Sequence, residues 1–197
     1  MLDPGTFVEI GQLAHSQHED LRDRTPADGM LAGSGKIDGL IDSVTADDAT
    51  VLAGTRVRVA EVKYKRARDL ALKHEKPFIA LMEAGAARVQ ETYGATAAGL
   101  GHRFADHYRM SGRIPQVGAA LGPCFGGPSF TAAQSDFVPI VKGTGFIGMS
   151  GAPVVKVGIG LDVSNEEIGG SKIAAVETGQ ADYLAETEAG CMAAFRT

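Results

Sequence analysis

Met82-Glu-Ala-Gly-Ala-Ala-Arg-Val-Gln-Glu91 is the stretch from which the fold can be read. It continues the apolar run Pro77-Phe-Ile-Ala-Leu-Met82, which has the length and composition of a buried strand. The strand runs into Gly85-Ala86-Ala87, where almost no side chain covers the backbone. A strand that ends on such residues presents bare N–H groups, which suit a developing negative charge. The design recurs downstream. Ile114-Pro-Gln-Val-Gly-Ala-Ala-Leu121 reads as a second strand, and Gly122-Pro-Cys-Phe-Gly-Gly-Pro128 as a tight turn into a helix. Two strand-to-turn junctions organise the chain.

The composition sets the frame around them. A length of 197 residues supports one domain with a real core, and 44% hydrophobic with 22% charged residues is ordinary for a soluble globular protein. A net charge of −5 weighs against nucleic acid or a membrane surface as partner. No apolar run is long enough to span a bilayer, and Met1-Leu-Asp-Pro-Gly5 lacks the features of a signal peptide, so the expected location is cytoplasmic. Cys124 and Cys191 stand far apart and form no metal motif; they read as reduced thiols. His15 and His18 have no carboxylate or cysteine cluster at ligand spacing, and no metal is expected.

Taken in order, Phe7 to Ile10 reads as an edge strand and Ala14 to Asp28 as a polar loop or mobile segment. Met30 to Val44 reads as a hairpin turning at Asp38-Gly39, followed by a loop over Thr45 to Gly54. Arg56 to His74 is the clearest helix, with Val59, Val62, Ala67, Leu70 and Leu72 as its apolar face. Its basic residues outnumber Glu61 and Asp69, which reads either as a solvated face or as a dock for a polyphosphate. A further helix is expected over Ala95 to Met110, with His102 and His107 on its surface because five residues separate them. Then come a short helix over Pro128 to Gln134, strands over Phe137 to Val141 and Phe146 to Met149, and a helical turn over Val154 to Gly158. A helix ends in Asn165-Glu-Glu-Ile-Gly-Gly170; the last strand covers Ala181 to Leu184 and the last helix Glu186 to Phe195. Strand, turn and helix repeat after an initial hairpin, which is an α/β pattern in a single domain, 1–197.

At the two turns the sequence resembles the carboxyltransferase (beta) subunit of biotin-dependent acyl-CoA carboxylases, of the propionyl-CoA and methylcrotonyl-CoA type. Glu83-Ala-Gly-Ala-Ala-Arg-Val-Gln-Glu91 is similar to that family's Asp-Ser-Gly-Gly-Ala-Arg-Ile-Gln-Glu, and Gly122-Pro-Cys-Phe-Gly-Gly127 to its Gly-Pro-Cys-Ala-Gly-Gly. Leu2 to Ile10, Asp28 to Gly39, Ser135-Asp-Phe137 and Ser164-Asn-Glu-Glu-Ile-Gly-Gly170 follow its other motifs in order, so the resemblance covers nearly the whole chain. It implies a crotonase-like spiral of repeated strand-strand-helix units. It also implies an acyl-coenzyme A thioester as substrate, carboxybiotin on a carrier partner as donor, and no metal.

Carried over, the backbone amides of Gly85 and Ala86 would hold the thioester enolate, with Gly54, Arg88, Gly126 and Gly127 contacting the substrate. Ala86 stands where the family has glycine. Arg88 would either face coenzyme A phosphates or brace the loop; Glu83 and Glu91 flank the first turn and read as solvated or structural acids or as an acid/base, and Cys124 as packing. Neither turn supplies a general base, in keeping with biotin taking the proton itself. The glutamate that enoyl-CoA hydratases of this fold place after the second turn is absent from Pro128-Ser-Phe-Thr131.

The family's chain carries two such domains, and this sequence reaches Thr197 about where the first ends. The resemblance therefore implies a chain supplying the second domain, a biotin carboxyl carrier, a biotin carboxylase, and a homo- or hetero-oligomer. A stand-alone crotonase-like decarboxylase or hydrolase and a non-catalytic subunit or fragment are the rival readings.

Overall fold

The computed structural model describes residues 1–99 and 101–196. Leu100, inside the helix expected over 95–110, lies outside the described residues. An edge strand β1 (Val8–Glu9) lies antiparallel on β2 (Met30–Ile37), which pairs antiparallel with β3 (Leu40–Asp47). The β2–β3 hairpin turns at Asp38-Gly39, both at positive φ. From β3 onward the sheet is parallel: β4 (Phe78–Ala84), β5 (Gln116–Phe125), β6 (Pro139–Val141) and β8 (Tyr183–Ala185) follow side by side. A further strand, β7 (Phe146–Gly148), pairs with the far end of β5. Parallel neighbours need crossovers. These are α1 (Arg58–His74) between β3 and β4, and α2 (His102–Met110) between β4 and β5. The turn after β5 leads into α3 (Gly127–Ala133), and α4 (Ala152–Ile159), α5 (Asn165–Gly169) and α6 (Glu188–Ala193) complete the chain.

The register of β4 on β5 brings the two junctions together. Phe78 to Met82 pair in step with Gln116 to Ala120, and the register then shifts so that Ala84 meets Cys124. Met82, Ala119, Ala120 and Cys124 are fully buried, and Tyr64 packs edge-on against Phe78 at 5.4 Å between ring centroids. Burying a large apolar side chain such as Met82 or Phe78 stabilises the fold by about 1.5–3 kcal/mol.

The clearest helix forms as expected but turns a different face inward. Ala60, Tyr64, Ala67 and Ala71 are buried, while Val62 is 63% exposed. Their i, i+4, i+7, i+11 spacing is a helical stripe, and the small alanines let α1 approach the sheet. Arg56 before the helix and Glu61, Lys63 and Arg68 within it are buried too, so the basic residues are not one solvated face. The helix starts where Asp28 Oδ2 accepts the Ala60 N–H at 2.8 Å, and stops at Glu75 with φ 53.

Two other expectations change. The polar segment before β2 is anchored, because Ser16, Thr25 and Asp28 are buried and Ser16 Oγ donates to Glu91 Oε1 at 2.7 Å. His102 is exposed, but His107 is buried, with Nδ1 2.7 Å from Gln116 Oε1 and its ring against Phe78 and Tyr64. Burial pushes His107 down to about 4.

Candidate functional site

At the first junction the chain leaves β4 and runs beside Arg56. The Gly85 N–H donates to Ala53 O at 2.9 Å. Ala86 then takes φ 71, a left-handed conformation that alanine adopts at a cost. Its carbonyl accepts from Arg56 N–H at 2.9 Å, and Arg88 N–H donates to Arg56 O at 3.2 Å. The N–H groups of Ala86 and Ala87 find no acceptor among the described residues.

The second junction repeats the arrangement. Gly126 N–H donates to Gly148 O at 3.0 Å, and Ser129 Oγ donates to Gly126 O at 2.7 Å. Gly126 has φ 61 and ψ −111, a combination that residues with a Cβ rarely adopt. Gly127 N–H finds no acceptor among the described residues. The residues with open amides line one cavity of about 60 Å³, together with Arg56, Arg103 and Pro128. A larger hollow of about 310 Å³ near Ser34, Asp42 and His74 contains no residue of either turn.

The six sequence-predicted residues thus separate. Ala86 and Gly127 line the cavity, whereas the Gly85 and Gly126 amides are already bonded. Gly54 is a close-approach point, since a Cβ there would run into Glu83 O. Arg88 is a brace: it is buried, with Nη1 donating to Asp28 Oδ1 at 2.8 Å and Glu91 Oε1 at 2.7 Å, and Nη2 to Thr55 O at 2.9 Å. Asp28 also holds the start of α1, so Arg88 ties the first turn to that helix. Cys124 is fully buried and burial pushes its thiol far above the ordinary range, which removes it as a nucleophile. Among the described residues, no cluster of three potential metal ligands occurs and no helix is long and apolar enough to cross a membrane.

Two further residues line the cavity: Arg56, which the sequence placed only in the basic stripe of the helix, and Arg103, which it did not single out. Arg56 Nε donates to Asp47 Oδ1 at 2.6 Å and Nη2 pairs with Asp47 Oδ2, while the guanidinium lies 5.0 Å from the Tyr64 ring centroid. Arg103 Nη2 pairs with Glu61 Oε1, and its Nη1 stands where a Cβ on Gly127 would collide with it. Burial opposes the Arg56 charge, but Asp47 more than offsets it and raises the pKa. Burial outweighs Glu61 at Arg103, whose pKa is lowered. The excess of arginine around α1 was the available signal; its inward direction was not.

The chain matches the carboxyl transferase domain over residues 1–197. It is 36% identical over 194 residues to the propionyl-CoA carboxylase beta chain of Saccharopolyspora erythraea, covering 95% of this chain and 35% of that protein. It is 32% identical over 199 residues to the methylmalonyl-CoA decarboxylase subunit alpha of Veillonella parvula, covering 100% of this chain and 39% of that one. Among solved structures, transcarboxylase 12S, a hexamer assembly with methylmalonyl-coenzyme A and methylmalonic acid bound, superposes with a TM-score of 0.91 at 29% identity. That match covers 99% of this chain and 38% of the other. The chain spans between a third and two fifths of the length of these relatives. With a crotonase-like sheet, two amide-bearing turns and a match along its full length, the chain belongs to the carboxyl transferase domain family.

Proposed function

We propose that this chain is the acyl-thioester-binding half of a biotin-dependent carboxyltransferase. The observation that carries the reading is one cavity lined by Ala86, Ala87 and Gly127, whose amides have no acceptor among the described residues, and by no carboxylate or imidazole. Removing a proton from the carbon beside a thioester carbonyl moves negative charge onto oxygen. Fixed N–H donors aimed at that oxygen favour the transition state over the ground state. Ala86 and Gly127 are the donors this geometry favours, since Gly85 and Gly126 are already committed.

A groove of about 280 Å³ shares Arg103 with the cavity and carries Arg58, Lys65 and Arg68 alongside Glu61, an excess of basic residues suited to the phosphates of coenzyme A. Carboxybiotin, delivered by a carrier protein, supplies the carboxyl group when bound. The donor-only lining fits that division of labour, because no protein base is present in the cavity. A second domain or chain, a biotin carboxyl carrier, a biotin carboxylase and an oligomeric assembly in the cytoplasm complete the proposed system.

The test is titration of the purified chain with acetyl- and propionyl-coenzyme A, followed by a carboxylation assay with the partner domain and biotinylated carrier. Saturable binding that Gly127→Ala weakens at least tenfold is expected, because the added methyl meets Arg103. Absence of binding to every short acyl-coenzyme A refutes the reading. The similarity to a decarboxylase subunit supports a second reading, a decarboxylating enzyme built on the same amides. Loss of carbon dioxide from a carboxyacyl-coenzyme A without any biotin carrier distinguishes it.

A further inference from the structure

We infer that the hollow between the β2–β3 hairpin and the last turns of α1 binds a small anionic amphiphile, an apolar chain of about ten non-hydrogen atoms with one charged head. It lies apart from the two turns, and its volume of about 310 Å³ is within the range of small-molecule sites. The hollow exists because α1 stops short of the strand it covers. Ser43 Oγ donates to Ala67 O at 2.8 Å, so Ser43 and the residues two away from it on β3 face the helix. On that face Thr45 is 2% and Ser43 5% exposed, whereas Ile41 is 48% exposed. The helix ends at His74, and Glu75 at φ 53 redirects the chain toward β4, which leaves Ile41 beyond the last turn. Ser34, the register partner of Ser43 on β2, belongs to the same face.

Ile41, Leu70 and Ala71 give the hollow an apolar floor, and the basic residues His74 and Lys76 stand at its rim. Neither makes an ion pair among the described residues, and Lys76 acts on the Asp42 carboxylate only from a distance. Asp42 borders the hollow as well, but alternation along β3 turns its side chain to the opposite face, where it borders a second groove with Ile79 and Phe195. The C-terminal end of a helix is electronegative and opposes an anion. Here its carbonyls are already engaged: Lys76 N–H donates to Ala71 O at 2.9 Å and Glu75 N–H to Leu72 O at 3.4 Å. An apolar floor with basic side chains at one edge complements a chain that is apolar along its length and anionic at one end. The floor supplies affinity, and the rim selects the sign of the head.

The test titrates the intact chain at neutral pH with octanoate, octanol and octylamine by calorimetry. Saturable octanoate binding is expected, about tenfold or more tighter than that of octanol or octylamine. Lys76→Glu, at an exposed position outside both turns, is expected to weaken octanoate about tenfold or more. Ser34→Phe fills the hollow and should abolish binding; Ile41→Asp, which places a charge on the apolar floor, is the second variant should Ser34→Phe fail to fold. Saturating coenzyme A should leave octanoate binding unchanged, because the hollow shares no residue with the groove at Arg58 or the cavity at Ala86. The inference is overturned if octanoate does not bind saturably, if octanol or octylamine binds as tightly, if Lys76→Glu binds like wild type, or if coenzyme A displaces octanoate. Titration of the same variants with acetyl-coenzyme A reports on the proposed function separately.

Discussion

The floor and the wall of the central cavity are built on opposite principles. The floor is two turns of glycine and alanine, where everything chemical is backbone. In each, one amide is spent on a distant carbonyl and the next is left open: Gly85 to Ala53 and then Ala86, Gly126 to Gly148 and then Gly127. The wall is made of long charged side chains turned inward, Arg56 with Asp47 and Arg103 with Glu61, and Arg68 with Asp106 is a further buried pair between α1 and α2. Arg56 and Arg68 both stack on Tyr64, at 5.0 and 4.4 Å from its ring centroid. The floor is specified by what is missing from its side chains. The wall is specified by pairing, and each member is costly to bury without its partner.

The sharpest way to break this contrast is to unpair the wall. Arg56→Met leaves Asp47 buried without its ion partner and is expected to destabilise the chain by about 3–5 kcal/mol in urea unfolding. The double variant Arg56→Met/Asp47→Leu should recover more than half of the loss. A single variant that costs no more than an ordinary surface change would show that the wall is not held by its pairs.

The wall also makes a pH prediction. His107 has its pKa depressed by burial from 6.5 to about 4, so its neutral form is the folded one. Its stabilising contribution is complete above pH 6.5. It is lost as the pH falls from 6.5 toward 4, because there the unfolded chain binds a proton that the folded chain does not. The expected loss over that window is on the order of 3 kcal/mol. Melting curves of wild type and His107→Gln between pH 7.5 and 4.5 should converge as the pH falls; parallel curves would show that His107 titrates normally.

The floor should respond to single methyl groups. Gly126→Ala forces a Cβ into φ 61, ψ −111 and is expected to cost about 1–3 kcal/mol, read by chemical denaturation. The smallest effect is the most diagnostic. Ala86→Gly relieves a positive φ and gains chain entropy in the unfolded state, for a net stabilisation of about 0.5 kcal/mol. The midpoint should not fall; a destabilised Ala86→Gly would mean that the alanine methyl packs and that the first turn is not strained.

The sequence by itself determined the order of elements and the place of the two turns. Apolar runs such as Phe78 to Met82, the Asp38-Gly39 pair and the small residues after each strand are local signals, and a strand end or a tight turn is decided locally. The family motifs extended that to the fold. Which amides stay open was not legible, because it depends on the carbonyls of Ala53 and Gly148, which lie at a distance in the sequence from Gly85 and Gly126. Arg88 could be read as a phosphate ligand or as a brace until Asp28, sixty residues earlier, was placed beside it. For the same reason α1 showed an apolar stripe through Val62 yet buried Arg68 and Glu61. Local hydrophobicity assigns a charge to solvent. Only the tertiary structure, by setting Asp106 and Arg103 opposite those residues, made their burial affordable, because the cost of desolvating a charge depends on the partner it meets.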